Sequence, residues 1–342
     1  MFNALNVRII LIVCLFFISL SLEAQDIHFS QVQTVQQQLN AACTGVMEPQ
    51  LRLTMNYRNQ WRRLGFPFVS DYVSLEGRTR AFNRPIGIGA FLLHDQSSSN
   101  YLRADKVYFS VNHSFYFRNH QIVVGVQPGL VIKSLDKAAI TFGSQFDPDL
   151  EIYNPGLASG EGLLNENLNY FDLNTGVFWR SSIRNIFYTA GFSVGHITRP
   201  AESFYKGIDT PGLPLKFTVH GNVAIPLGER YTISPLYMYT SSRGTREFIG
   251  GAIVTWNLQN NSLSIKRVYG FLQMRINPPE NVDAFILGAG TKFHAFDLGI
   301  SYDLTVSGLR KTPGILGAFE LSVQYNLNRQ KTESDNEPCF ML

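Results

Sequence analysis

Ile315-Leu316-Gly317-Ala318-Phe319-Glu320-Leu321-Ser322-Val323-Gln324-Tyr325-Asn326-Leu327 separates into two faces when every second residue is read. Ile315, Gly317, Phe319, Leu321, Val323, Tyr325 and Leu327 form one face. Leu316, Ala318, Glu320, Ser322, Gln324 and Asn326 form the other. A period of two is the side-chain alternation of a β-strand and not of a helix. The run is more than twice as long as an ordinary globular strand of ~5–6 residues. It exceeds the about 9–11 residues that a tilted barrel strand needs to cross a bilayer. One face is apolar and ends near an aromatic; the other is polar and almost uncharged. Lipid on one side and a wet lumen on the other demand this pattern.

A closing strand of that kind requires the rest of the chain to repeat it. From Leu51 the alternation does so, predicting strands near 51–58, 70–80, 86–94, 103–117, 121–133, 169–180 and 186–198. Further strands are predicted near 214–225, 231–241, 246–257, 262–276, 282–292, 296–307 and 315–327. The expectation is an all-β transmembrane antiparallel β-barrel of about 14 strands, an even number as in single-chain bacterial barrels. The connections support it. Arg118-Asn119-His120, Ser181 to Asn185, Pro226 to Arg230, Leu258 to Asn261 and Phe293 to Ala295 are tight. Alternating with them are His94 to Leu102, Ser134 to Leu168, Arg199 to Leu213, Ser242 to Thr245 and Gly308 to Gly314, two of them long. Barrels place short turns at the periplasmic rim and longer loops outside. Tyr57, Trp61, Tyr101, Trp179, Tyr231, Tyr239, Trp256 and Tyr325 fall near strand ends, as membrane-interface girdles would.

Composition points the same way. The chain has 342 residues, of which 16% are charged, against about a quarter in soluble domains. A net charge of +3 is too small to argue for nucleic acid. Arg8, the apolar run Ile9 to Leu20 and Leu22-Glu23-Ala24 before Gln25 read as a signal peptide over 1–24. Residues 25–50 read as a periplasmic arm or plug, 51–327 as the barrel and 328–342 as a polar tail. The segment 134–168 carries Asp147-Pro148-Asp149 and Asn154-Pro155-Gly156, so it caps the barrel or folds into it. Cys43 and Cys339 are either a disulfide of an exported protein or two free thiols.

Motifs for catalysis and cofactors are missing. No His-Glu-x-x-His, no zinc spacing and no phosphate-binding Gly-Lys-Ser/Thr run occurs, so no cofactor is expected. Asp147, Asp149 and Glu151 alternate, without the glycine and downstream glutamate of a calcium loop. His113-Ser114 could suggest a lipase, but neighbours on a strand face opposite ways. Tyr57-Arg58-Asn59-Gln60-Trp61 is the densest group of recognition-type residues and the candidate protein-binding site. Its plain alternative is a girdle aromatic between solvated arginines.

Several stretches resemble the PorP/SprF family. They are Gln25-Asp26, Phe29-Ser30-Gln31, Leu39-Asn40-Ala41-Ala42 with Gly45, and Tyr57-Arg58-Asn59-Gln60-Trp61. Gly87-Ile88-Gly89, Gly288-Ala289-Gly290-Thr291-Lys292-Phe293, Tyr302-Asp303-Leu304 and Gly317-Ala318-Phe319-Glu320-Leu321-Ser322 continue the likeness. The resemblance implies a Bacteroidota outer-membrane protein of the type IX secretion system. Its implied partners are periplasmic ring components and secreted cargo, such as the C-terminal domains of adhesins, including those of gliding motility. The alternative function is an outer-membrane channel for small solutes. Its lumen would be lined by Ser74, Glu76, Arg78, Asn112, Ser114, Glu320 and Gln324.

Overall fold

A computed structural model describes residues 27–327 except 48, 65–66, 82–83, 98–101, 137–139, 141, 155, 158–159, 161–164, 206–210, 259–263, 279–281 and 309–316. Residues 1–26, which include the expected signal peptide, the tail 328–342, Cys339, Tyr101 and the first two residues of the closing run therefore lie outside the described residues.

Fourteen strands form the wall: β1 Leu51–Gln60, β2 Phe68–Ala81, β3 Arg84–Ser97, β4 Leu102–Phe117, β5 His120–Leu135, β6 Asn167–Ile183 and β7 Ile186–Gly195. The circuit continues with β8 Lys216–Leu227, β9 Tyr231–Ser242, β10 Thr245–Asn257, β11 Ile265–Ile276, β12 Val282–Phe293, β13 Phe296–Thr305 and β14 Gly317–Leu327. Each pairs antiparallel with its sequence neighbours, and β1 pairs with β14 from Leu51↔Leu327 to Gln60↔Ala318. The sheet is closed, which leaves no edge of unpaired backbone for lipid to meet. Among the described residues no helix is long and apolar enough to cross a membrane.

Every predicted strand coincides with an observed one, and the differences at the ends have local causes. The run 186–198 stops at Gly195 because His196 turns to φ +57°. The strand expected from 262 begins at Ile265, after Ser264 at φ +54°, so the connection from β10 is longer than the tight Leu258–Asn261 turn. Arg184 and Asn185, both at positive φ, make a two-residue turn whose twist matches the hairpin it joins.

The wall is apolar outside and polar inside, the reverse of a soluble protein. Phe319, Leu321, Tyr325 and Leu327 on β14 are exposed, whereas Glu320 and Ser322 are buried. Val73 and Leu75 on β2 point out while Ser74 and Glu76 point in. Near the short-turn rim, Tyr231 and Trp256 stack as register partners, and Phe296 packs on Tyr325. Water cannot solvate the outer surface favourably, and a hydrocarbon layer can.

Inside, residues 27–47 occupy the lumen. This segment contains only a one-turn helix at Gln36–Leu39 and a 3-10 turn at Ala41–Cys43. Its apolar side chains complete three internal clusters. Phe29 and Val35 join Tyr72, Phe91 and Tyr108; Val32 joins Ile249, Phe271 and Ile286; Cys43 and Val46 join Val123 and Phe178.

A plugged lumen as the candidate functional site

The segment enters beside the long-loop rim and leaves at the other. Ile27 packs against the same buried cluster as Leu168 at the start of β6 and Leu213 just before β8. Eighteen residues later, Gly45 N donates to Glu76 Oε2 (2.7 Å), close to where β1 begins. The chain thus runs down the barrel before turning into its first strand.

One row of the wall is shaped for this passage. Gly87, Asn112, Gly125, Gly176, Ser193 and Thr218 are successive register partners across β3 to β8. A Cβ on Gly125 would lie 2.6 Å from Ala42 N, and one on Gly176 would strike the Asn40 side chain. Only glycine allows two backbones this close. Between the glycines, polar groups hold the segment: Asn112 Nδ2 donates to Ala42 O (3.2 Å) and Ser193 Oγ to Leu39 O (2.6 Å). Gln127 Nε2 donates to Gln37 O (2.9 Å). Asn40 works in both directions, since its Oδ1 accepts from Ala42 N (2.9 Å) while its Nδ2 donates to Val177 O (3.1 Å). A buried backbone outside regular structure needs such partners.

The second anchor is ionic. Arg58 Nη1 donates to Glu320 Oε2 (3.1 Å) and to Ser30 Oγ (2.7 Å); Arg58 Nη2 donates to Asp303 Oδ2 (3.0 Å). Arg275 Nη1 reaches the same Asp303 oxygen (2.9 Å), and its Nε donates to Asp283 (2.9 Å). Ser30 sits among them. Its N–H donates to Glu320 Oε2 (2.8 Å) and its hydroxyl to Asp303 Oδ2 (2.7 Å), while Gln31 N donates to Glu320 Oε1 (3.0 Å). Arg58, Arg275, Asp303 and Glu320 are all nearly inaccessible to solvent. Such charges persist in a low-dielectric site only when paired and hydrogen-bonded, as these are.

Two groups of the segment itself are shifted by this setting. Burial first, then the guanidinium of Arg275, holds His28 well below its usual pKa. Its Nδ1 lies 3.4 Å from Glu247 Oε2. Burial pushes the Cys43 thiol well above its usual value.

The candidate pentapeptide is split by the strand geometry. Tyr57 lies on the outer face, with Asn59 Nδ2 donating to its hydroxyl (3.0 Å). Arg58 enters the lumen, and Gln60 Oε1 accepts from it (3.4 Å). Trp61 leaves the strand at φ +57° and packs edge-on against Phe68. Glu76 is inside with Arg52, and Asn112 and Glu320 both hold the segment. Arg275 escaped the sequence reading because a lone arginine in a strand carries no signal of its partners. His113 packs on Phe115, whereas Ser114 Oγ accepts from Gln121 on the opposite face (2.8 Å). Among the described residues no group of three or more His, Cys, Asp or Glu is placed to hold a metal ion.

Solved structures of outer-membrane barrels resemble the chain at low identity. A Pseudomonas aeruginosa FadL homologue is 12% identical with a TM-score of 0.45, covering 84% of this chain and 93% of its own. The Ralstonia pickettii toluene transporter TbuX is 8% identical with a TM-score of 0.48, covering 86% and 94%. A comparison with curated proteins found no match. The family model "Type IX secretion system membrane protein PorP/SprF" matches residues 21–325, which take in the segment inside the barrel and all of the wall but its last two residues. An apolar-outside closed barrel and a match of this length lead to one conclusion: the chain is an outer-membrane protein of the PorP/SprF family, which works with components of the type IX secretion system.

Proposed function

We propose that this barrel docks protein partners of the type IX secretion system and catalyses nothing. Its short-turn rim would face periplasmic ring components. Its long-loop rim would receive secreted cargo, such as the C-terminal domains of adhesins, including those used for gliding. The observation that supports docking over transport is the occupied lumen, where residues 27–47 are bound to the wall by hydrogen bonds and a four-residue ionic cluster. Solutes need a continuous aqueous path, and residues 27–47 lie along the lumen where it would run.

A channel for small solutes is the second reading, and the polar wall favours it. Thr54, Asn56, Ser110 and Asn112 would line water if the segment withdrew.

One preparation tests both. A tagged copy is purified from detergent-solubilised membranes, its companions are identified, and the same protein is reconstituted into liposomes. Docking predicts recovery of ring components or an adhesin C-terminal domain, with silent liposomes. Robust single-channel currents without companions would replace docking by the channel.

A further inference from the structure

Within the long connection from β5 to β6 a small hairpin stands on its own. Phe146 and Asp147 pair with Tyr153 and Ile152, in that order. Asp147 Oδ1 accepts from the backbone of Asp149 (3.0 Å) and Leu150 (3.2 Å), and Glu151 closes the turn at φ +53°. Asn154 N donates to Gln145 O (2.8 Å), and Gln145 Nε2 to Leu157 O (3.2 Å), so the hairpin is braced by its own loop.

Its surface is unlike its surroundings. Leu150 is 62% exposed, Ile152 54% and Tyr153 53%, and Phe146, packed edge-on against Tyr153 at 5.3 Å, is also exposed. On the barrel wall such residues face lipid. Here they sit in a loop beyond the strands, next to the carboxylates of Asp147, Asp149 and Glu151. Contiguous exposed apolar side chains mark interaction surfaces, and aromatics are enriched at them. The carboxylates decide the occupant. Anionic headgroups attract basic segments, so three acids beside the patch oppose burial in a membrane surface. They complement a cationic partner, whose approach they would also steer.

We propose that the 146–153 hairpin is a docking face for a protein surface that presents lysines or arginines beside aliphatic or aromatic side chains. This deepens the docking reading and rests on it.

The test puts a photo-crosslinking residue, p-benzoylphenylalanine, at Leu150 in intact cells, with Leu287 on the lipid-facing wall as control. Light should join position 150 to a protein through a peptide that carries basic and apolar side chains. The yield should fall several-fold in the Asp147→Asn, Asp149→Asn, Glu151→Gln variant and in raised salt. Adducts to lipid alone, to a second copy alone, or insensitive to those neutralisations would overturn the proposal. So would no adduct at all. If a carboxyl-terminal tag still recovers secretion components in those cases, only the hairpin assignment fails; if it recovers none, the docking reading fails as well.

Discussion

Arg58 and Glu320 are direct partners across the seam that closes the barrel, and Arg58 Nη1 lies 3.1 Å from Glu320 Oε2. The same carboxylate accepts from the backbone of Ser30 and Gln31. First strand, last strand and lumenal segment therefore meet at one ion pair.

Removing both members of that pair should cost less than the two single removals added together. Arg58→Ala strands Glu320 and leaves Asp303 with Arg275 as its remaining guanidinium. Breaking a buried pair in this way costs roughly 3–5 kcal/mol. The double variant Arg58→Met, Glu320→Leu should lose less than the two single variants together, because no unpaired charge remains at the seam. Urea unfolding in detergent, followed by tryptophan fluorescence and by mobility of the unheated barrel on gels, gives both numbers. Additive losses would mean that the pair is not coupled.

The two faces should respond oppositely to substitution. Leu287 is an exposed residue in the middle of β12, and Leu287→Arg should destabilise the barrel in a bilayer by about 2–4 kcal/mol, the cost of a cation at the midplane. Ser301 is buried, and its hydroxyl has no hydrogen-bond partner among the described residues. Ser301→Ala should be neutral or slightly stabilising, because it removes a buried hydroxyl that no described residue satisfies. Folding titrations in phospholipid vesicles measure both. A benign Leu287→Arg would contradict the lipid-facing assignment.

The wall was legible in the sequence because each strand carries its own evidence: alternation needs no knowledge of the partner strand. The run from Gly317 to Leu327 orients all its side chains, and so does Val73-Ser74-Leu75-Glu76. The lumenal segment gave no such signal. Residues 27–47 are held by hydrogen bonds to residues as distant as Glu320, and local periodicity cannot encode these. The grouping of Tyr57 to Trp61 illustrates the difference. As a cluster in sequence it suggested one surface, yet the pleat sends Tyr57 to the membrane and Arg58 to the ionic anchor.

Cys43 reports on whether the segment is seated. It is almost wholly buried, and burial raises its thiol pKa, so at neutral pH it holds little thiolate and meets little reagent. In a Cys339→Ser background, native protein should resist maleimide until it is unfolded. Gly125→Val places carbon against Ala41 and Ala42, the two residues that precede Cys43. That variant should label at least ten times faster while keeping the barrel's gel mobility. Equal labelling of the two proteins would show that the glycine row does not seat the segment.

Ser30 separates holding the segment from filling the barrel. Ser30→Ala removes a hydroxyl that links Asp303 with Arg58, but the backbone bond to Glu320 survives, and so do the arginine contacts with Asp303. Loss of a charge-assisted bond of this kind costs about 1.5–3 kcal/mol, so the barrel should stay folded and closed at moderate urea. Ser30→Leu instead forces an apolar branch into four charges that have no room for it. The segment should then leave, while the wall, held by its own ladder, persists. Liposomes carrying Ser30→Leu should swell in solutions of a small sugar, whereas wild type and Ser30→Ala should not. If the leucine variant stays as tight as wild type with full stability, the ionic cluster is not what keeps the lumen shut.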